Sequence, residues 1–278
     1  MRPDCPVVIS LTTLPSRIRK IRPCLESLLM GDVVPDKIFL ALPPISTREN
    51  CGYSVPDFLR SRDFCGSVIE VVKADRDWGP GTKLLGSLDV IPQECYLVLV
   101  DDDVRYRRDF LANLLNAQRQ DHSSSFSYYT YRTEGVTVGQ GCDGFSFWYP
   151  NLAGIRQFAE SHVMNANLFF HDDLWISFYL ASKGISIKSL ASRLKSGLIY
   201  EIELEHQPSS LSQLGGQLAR QQLNRSCAKY LLRKAPMSKR RKLVIRLIAN
   251  YDKFVSSQLR RLNRFLRRAV HLRRVRRS

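Results

Sequence analysis

The apolar run Tyr96-Leu97-Val98-Leu99-Val100 leads directly into three consecutive carboxylates, Asp101, Asp102 and Asp103. In open α/β sheets ligands bind outside the carboxyl ends of the strands, which is where such a run would deliver these acids. Three acids this close repel one another unless a cation neutralises them, and hard oxygen donors suit Mg²⁺ or Mn²⁺. On an extended chain Asp101 and Asp103 share one side, within reach of a single ion, while Asp102 points the other way. The plainer alternative is a solvated acidic turn that caps a helix starting near Arg107.

Three further groups carry possible chemistry. His171-Asp172-Asp173 precedes a helical run and follows the apolar residues 168–170, so the two acids suit either a general base in a pocket or capping of the helix. Asp77-Trp78-Gly79-Pro80-Gly81-Thr82-Lys83 is a turn with one acid and one base, and Lys83 could meet a phosphate. It lacks the spacing of a P-loop. Thr12-Thr13-Leu14-Pro15-Ser16-Arg17 follows the first apolar run, and Arg17 could stack on a base or pair with phosphate.

These groups need a scaffold, and its pattern is alternating. Residues 7–10, 37–42, 68–72 and 96–100 are strand-length runs of Val, Ile and Leu, separated by helix-like segments at 18–30, 56–64 and 83–88. Apolar strands without strict alternation, interleaved with helices, predict βαβ units and a parallel sheet buried on both faces. Beyond it the sequence predicts a helix at 107–120, strands at 126–131, 136–138 and 145–149, and helices at 152–161 and 174–183. Gly184 is placed to close the last of these. Strands at 185–188 and 198–205 and a helix at 209–233 complete the body.

The chain has 278 residues with a formal charge of +16 and 44% hydrophobic residues. That excludes a disordered tail protein and, with no apolar run of 18 residues, a spanning helix. The N-terminal segment is too short and too polar downstream for a signal peptide, so the cytosol is the expected compartment. Seven scattered cysteines without a C-x-x-C pair are expected to be reduced core thiols. The charge is concentrated: residues 237–278 hold 15 Lys and Arg and one acid, leaving 27 basic and 25 acidic groups in residues 1–236. We therefore expect a body at 1–236 and a helical tail at 237–278, hinged near Pro236. The tail's apolar residues Val244, Leu247, Ile248, Tyr251, Phe254, Val255, Leu259, Leu262, Phe265, Leu266, Ala269 and Val270 recur in steps of three and four. A basic amphipathic helix of this kind suits the surface of an anionic membrane, and clustered Arg also suits nucleic-acid backbones.

Taken in order, residues 9–17, residues 77–83, the triplet at 101–103 and the pair Asp172-Asp173 about 70 residues later resemble bacterial GT-A-fold glycosyltransferases of the Asp-x-Asp, family-2-like kind, over roughly residues 7–230. The resemblance implies a Rossmann-like mixed sheet flanked by helices and a nucleotide-sugar donor, UDP- or GDP-linked, bound through Mn²⁺ or Mg²⁺. It places Thr12, Arg17, Asp77, Lys83, Asp101 and Asp102 around the nucleotide sugar. Asp101 and Asp103 would face the metal, with His206 completing its shell. The Gly141-Cys142-Asp143-Gly144 loop resembles one that shapes the sugar and acceptor pocket, implicating Asp143 and Gly144, with Trp175 beside them. Asp172 matches the general base of inverting members. His171 departs from the usual acid there, which leaves the choice between Asp172 and Asp173 open.

The expected activity is inverting transfer of a sugar to a hydroxyl of a surface glycan or glycolipid precursor, by a protein held peripherally at the inner face of the cell membrane. The competing expectations are a nucleotidyltransferase, which would use the same acids on a nucleoside triphosphate, and a non-catalytic nucleic-acid-binding protein. The last has no use for acids at a strand end, so no nucleic-acid partner is expected.

Overall fold

The computed structural model describes residues 5–163, 168–191, 200–202 and 216–275. In chain order the elements are β1 (Val7–Leu11), α1 (Arg22–Leu29), β2 (Lys37–Leu42), α2 (Arg62–Cys65), β3 (Ile69–Lys73), α3 (Thr82–Leu85), β4 (Tyr96–Leu99), β5 (Val104–Tyr106), α4 (Phe110–Gln120), β6 (Ser124–Ser127), β7 (Thr130–Thr133), β8 (Val136–Gly139), β9 (Phe145–Trp148), α5 (Ile155–His162), α6 (Asp172–Lys183), β10 (Ser186–Ser189), β11 (Tyr200–Ile202), α7 (Gly216–Lys234) and α8 (Lys239–Val275).

Seven strands form one sheet in the order β10-β6-β9-β4-β1-β2-β3. The β4-β1-β2-β3 half is parallel, and β9 runs antiparallel between β4 and β6. Strands β1 and β4 are buried along their whole length, as expected of a sheet covered on both faces. Alternation then sorts the side chains into two cores. Leu97 and Leu99 join one layer with Leu84, Trp175 and Phe178, while Tyr96, Val98 and Val100 join the other with Ile18, Leu25 and Leu114.

Helix α6 passes beneath the first layer, and it is apolar all round, with residues 174–180 buried. It ends on Gly184 in the left-handed region at φ 81°, the closing position read from the sequence.

Two segments differ from their sequence reading for local reasons. The helix expected at 18–30 is a 3-10 turn at Ile18–Lys20 followed by α1, because Pro23 can sit only in a first helical turn. The strand expected at 126–131 divides: β6 stays in the main sheet, while β7 pairs with β8 as a separate hairpin. Between them Tyr128 turns inward, fully buried, and its hydroxyl donates to the Phe110 carbonyl at 2.9 Å.

The start of the tail is fastened to the body. Arg241 donates to the Ser182 carbonyl, and Asp252 pairs with Arg132 at 3.3 Å. At the tip of the β7–β8 hairpin, Gly135 has φ 82°, and a Cβ there would lie 2.1 Å from the Ile245 carbonyl oxygen. Ile245 and Ala249, which are not members of the amphipathic stripe, pack inward from α8, as does Met237 just before it. The stripe residues Val244, Leu247, Tyr251, Phe254 and Leu259 stay exposed. Among the described residues no helix is long and apolar enough to cross a membrane.

Candidate active site

The acids arrive at the site because β4 ends where the alternation of its side chains has just placed Val100 in one core. Asp101 continues toward the α3 and α6 side and Asp102 toward the β1 side. Asp101 is anchored by its backbone: its N–H donates to the Tyr106 hydroxyl at 3.1 Å, and that hydroxyl donates to the Cys142 carbonyl at 3.1 Å. Tyr106 therefore ties the acidic turn to the Gly141–Cys142 loop. Its hydroxyl is held protonated far above its ordinary range, chiefly by burial.

Lys83 is the hub. It is 3% exposed, and its Nζ lies 2.6 Å from Asp101 Oδ1 and 3.0 Å from Asp172 Oδ2. Burial pulls the ammonium pKa down, but Asp101, Asp172 and Asp173 outweigh it and hold the pKa well above 10.5. The contact with Asp172 is electrostatic, because Asp172 Oδ2 is buried with no hydrogen-bond partner. In this structure Lys83 is enclosed between carboxylates rather than open to a phosphate. It instead joins the strand-end acids to the N-terminus of α6.

Asp173 occupies the other side of this centre. It is half-buried, and its Oδ1 accepts from the Gly141 N–H at 2.9 Å. Burial first, then the charge of Asp172, pushes its carboxyl well above the ordinary carboxylate range, against the opposing pull of Lys83. Gly141 must lack a side chain here, because a Cβ would stand 2.7 Å from Lys83 Nζ and 3.3 Å from Asp173 Oδ1.

Asp102 faces away from this centre, 8% exposed. It accepts from the Thr13 hydroxyl, and its Oδ1 lies 3.2 Å from Arg17 Nη1. The same nitrogen reaches Asp103 Oδ2 at 3.0 Å. Asp102 and Arg17 thus neutralise each other beneath the turn, whereas the resemblance places both around the nucleotide sugar. Asp103 keeps 31% of its side chain exposed and Asp101 36%. Burial, then the charges of Asp101 and Asp102, pushes the Asp103 carboxyl up to about 6.

Other expected site residues have structural duties. Asp77 accepts from the Thr47 N–H at 2.6 Å and the Gly79 N–H at 2.7 Å, so it organises its loop. Thr12, half-buried, donates to the Ala41 carbonyl. Asp143 is 3% exposed and accepts from Gln140 Nε2, so it is not open to a sugar hydroxyl. Gly144, at φ 78°, lies against the Phe110 ring. Trp175 is fully buried, its ring 2.8 Å from where a Cβ of Gly81 would stand, and it supports the Gly81 turn from below rather than lining a pocket. His206 lies outside the described residues.

The donor set suits a hard divalent ion. Among the described residues no three His, Cys, Asp or Glu side chains converge as a metal cage. Mg²⁺ and Mn²⁺ at nucleotide sites do not need one, because they take one or two carboxylates together with phosphates and water. Asp101 and Asp103 offer two partly exposed carboxylates, and the Asp103 carboxyl, raised by burial first and then by the charges of Asp101 and Asp102, would be relieved by a nearby cation.

The sequence reading gave no role to Tyr106, Thr13 or Gly141, although Thr13 and Gly141 stand inside motifs that it singled out.

No family profile and no curated protein sequence matches the chain. Solved structures do. S. aureus TarS residues 1–349 in complex with UDP superpose with a TM-score of 0.51 at 14% identity, covering 86% of this chain and 69% of that one. The complex of the same protein with UDP-GlcNAc gives 0.51 at 13% identity, covering 86% and 70%. A Francisella tularensis 2-C-methyl-D-erythritol 4-phosphate cytidylyltransferase reaches 0.41 at 17% identity, covering 66% and 88%, too weak a likeness to weigh. At these identities the comparison speaks to fold alone, and the chain has a GT-A-like, Rossmann-like mixed α/β fold.

Proposed function

We propose that the protein is a metal-dependent glycosyltransferase that moves a sugar from a UDP- or GDP-linked donor to an acceptor hydroxyl with inversion. The observation that supports this best is the meeting of the partly exposed strand-end carboxylate Asp101 with the acids of α6 around the buried Lys83, with the partly exposed Asp103 following on the same turn against Arg17. TarS, of similar fold, has been solved with UDP and with UDP-GlcNAc.

In this reading Asp101 and Asp103 hold Mn²⁺ or Mg²⁺, which when bound supplies a positive charge against the diphosphate. Lys83 keeps Asp101 and Asp172 in place. Asp173 is the better-placed base: half-buried and held by the Gly141 N–H, with its carboxyl pushed above the ordinary carboxylate range by burial and by Asp172. Asp172, enclosed against Lys83, positions the lysine. The acceptor is a glycan or glycolipid precursor.

The exposed stripe Val244, Leu247, Tyr251 and Phe254 on α8, flanked by Lys239, Arg240, Lys242, Arg246 and Lys253, suits an anionic membrane face. Each basic residue there contributes about 1 kcal/mol, enough together for reversible attachment at the inner face of the cell membrane. Sedimentation with anionic liposomes tests this: Leu247→Ser/Tyr251→Ser/Phe254→Ser should stay in the supernatant while the parent pellets. DNA binding without liposome binding contradicts it.

The activity is tested by incubating the protein with Mn²⁺ and a panel of nucleotide sugars and measuring free nucleoside diphosphate. Release that falls at least about a hundredfold in Asp173→Asn supports the reading. Unchanged release in Asp173→Asn contradicts the base, and pyrophosphate formed from a nucleoside triphosphate marks a nucleotidyltransferase instead.

A further inference from the structure

The loop at residues 43–55, which leaves the carboxyl end of β2, is built more rigidly than an ordinary connection. The Ser46 N–H donates to the Cys51 carbonyl at 2.9 Å, and Asn50 is held in the left-handed region at φ 50°. The Glu49 carboxylate accepts from the Ser16 N–H at 2.9 Å and from the Ser16 hydroxyl. The Thr47 N–H donates to Asp77, and the Tyr53 hydroxyl donates to the Thr13 carbonyl at 2.8 Å. The loop is thereby stapled to the turn after β1 and to the Asp77 turn, both of which flank the strand-end acids.

Between these staples stands Arg48. Its Nη2 is sealed from solvent and has no acceptor. Arg17 is its strongest charged neighbour, followed by Glu49 and Asp102. Arg17 has committed Nη1 to Asp102 and Asp103, and its own buried Nε is also without a partner. Two guanidiniums that repel each other therefore each hold a buried, unsatisfied donor at one rim of the site. A fold retains so costly a feature where an anion answers it. Guanidinium forks match phosphoryl oxygens, which accept two parallel N–H bonds. The site's carboxylates cannot serve, since Asp102 and Asp103 already occupy Arg17.

We propose that Arg48, backed by Arg17, forms an anion subsite that grips a phosphoryl group of the donor nucleotide at the rim beside Asp102 and Asp103. This rests on the reading that the site takes a nucleoside diphosphate sugar. The loop staples hold Arg48 in place before the ligand arrives, so its donors need no reordering on binding.

The test uses the full chain with Mn²⁺, and whichever of UDP and GDP the unaltered protein binds, titrated calorimetrically. The matching nucleoside is titrated by ligand-observed NMR. Arg48→Gln is expected to weaken the diphosphate by roughly tenfold or more while leaving the nucleoside unchanged, and Arg48→Lys to fall between, because an ammonium keeps the charge and loses the fork. The unliganded Arg48→Gln protein should melt no lower than the parent, since the replaced donor has no partner. Equal diphosphate affinity in Arg48→Gln overturns the subsite, as does an equal loss for nucleoside and diphosphate. If the unaltered protein binds neither diphosphate, the donor reading itself fails, a result distinct from either of those.

Discussion

Replacing Lys83 by Met removes the positive group between Asp101 and Asp172 and leaves a side chain of similar length. Removing one partner of a buried ion pair costs about 3–5 kcal/mol, because the remaining charge is stranded. Here the two stranded acids differ. Asp101, 36% exposed, can be rehydrated, whereas Asp172, 9% exposed, cannot. The expected loss therefore sits at the lower end, about 3 kcal/mol, a large share of a typical domain's stability. Lys83 is held protonated above its unfolded value of 10.5, so its contribution is fully present at neutral pH and erodes only as pH rises through the higher folded value. Urea unfolding at pH 7 reads the loss. Adding Asp172→Asn should then restore about half of it, since the stranded charge that cannot be hydrated is gone. A Lys83→Met protein within about 0.5 kcal/mol of the parent, or a double variant no more stable than the single, refutes the role of Lys83 as the hub.

Gly141→Ala places a methyl group 2.7 Å from Lys83 Nζ and should lower sugar transfer at least about tenfold, measured as diphosphate release. At the hairpin tip, Gly135→Ala combines a left-handed backbone with a 2.1 Å contact to the Ile245 carbonyl. It should cost about 1–3 kcal/mol and speed proteolysis within α8, followed by limited digestion. Asp103, its carboxyl pushed up to about 6 from 3.8, binds a proton more readily folded than unfolded, so it costs stability as pH rises through that window. The same proton competes with a cation, so Mn²⁺ affinity measured calorimetrically should strengthen several-fold between pH 5 and pH 7 and should lose that pH dependence in Asp103→Asn.

The central strands were legible because a strand buried on both faces has no freedom in composition: residues 37–42 and 96–99 are almost wholly apolar and lie within the segments read from the sequence. The division of residues 126–131 was hidden, because Tyr128 leaves the sheet for a hydroxyl bond to Phe110, a partner set by tertiary packing. The strand-end acids were legible for the same reason as their strand. Their partners were not: Lys83 meets Asp172, and Arg17 meets Asp102 and Asp103, only once the β-strands are side by side. Residues placed at the ligand by the resemblance, such as Asp143 and Asp77, satisfy neighbouring donors within their own loops. Arg48 lies in a loop without periodicity or motif, and nothing short of the folded chain brings it beside Arg17. In the tail the three-four spacing gave the helix, while the residues that dock it, Ile245 and Ala249, lie off the stripe.

Calorimetric titration of the purified protein with UDP and GDP, with and without Mn²⁺, puts the function assigned to Asp101 and Asp103 to the most direct trial. The account requires one of the two to bind in a metal-dependent manner, with that dependence abolished in Asp103→Asn. Heat of binding that is indifferent to both Mn²⁺ and the substitution, or none at all with either nucleotide, contradicts it.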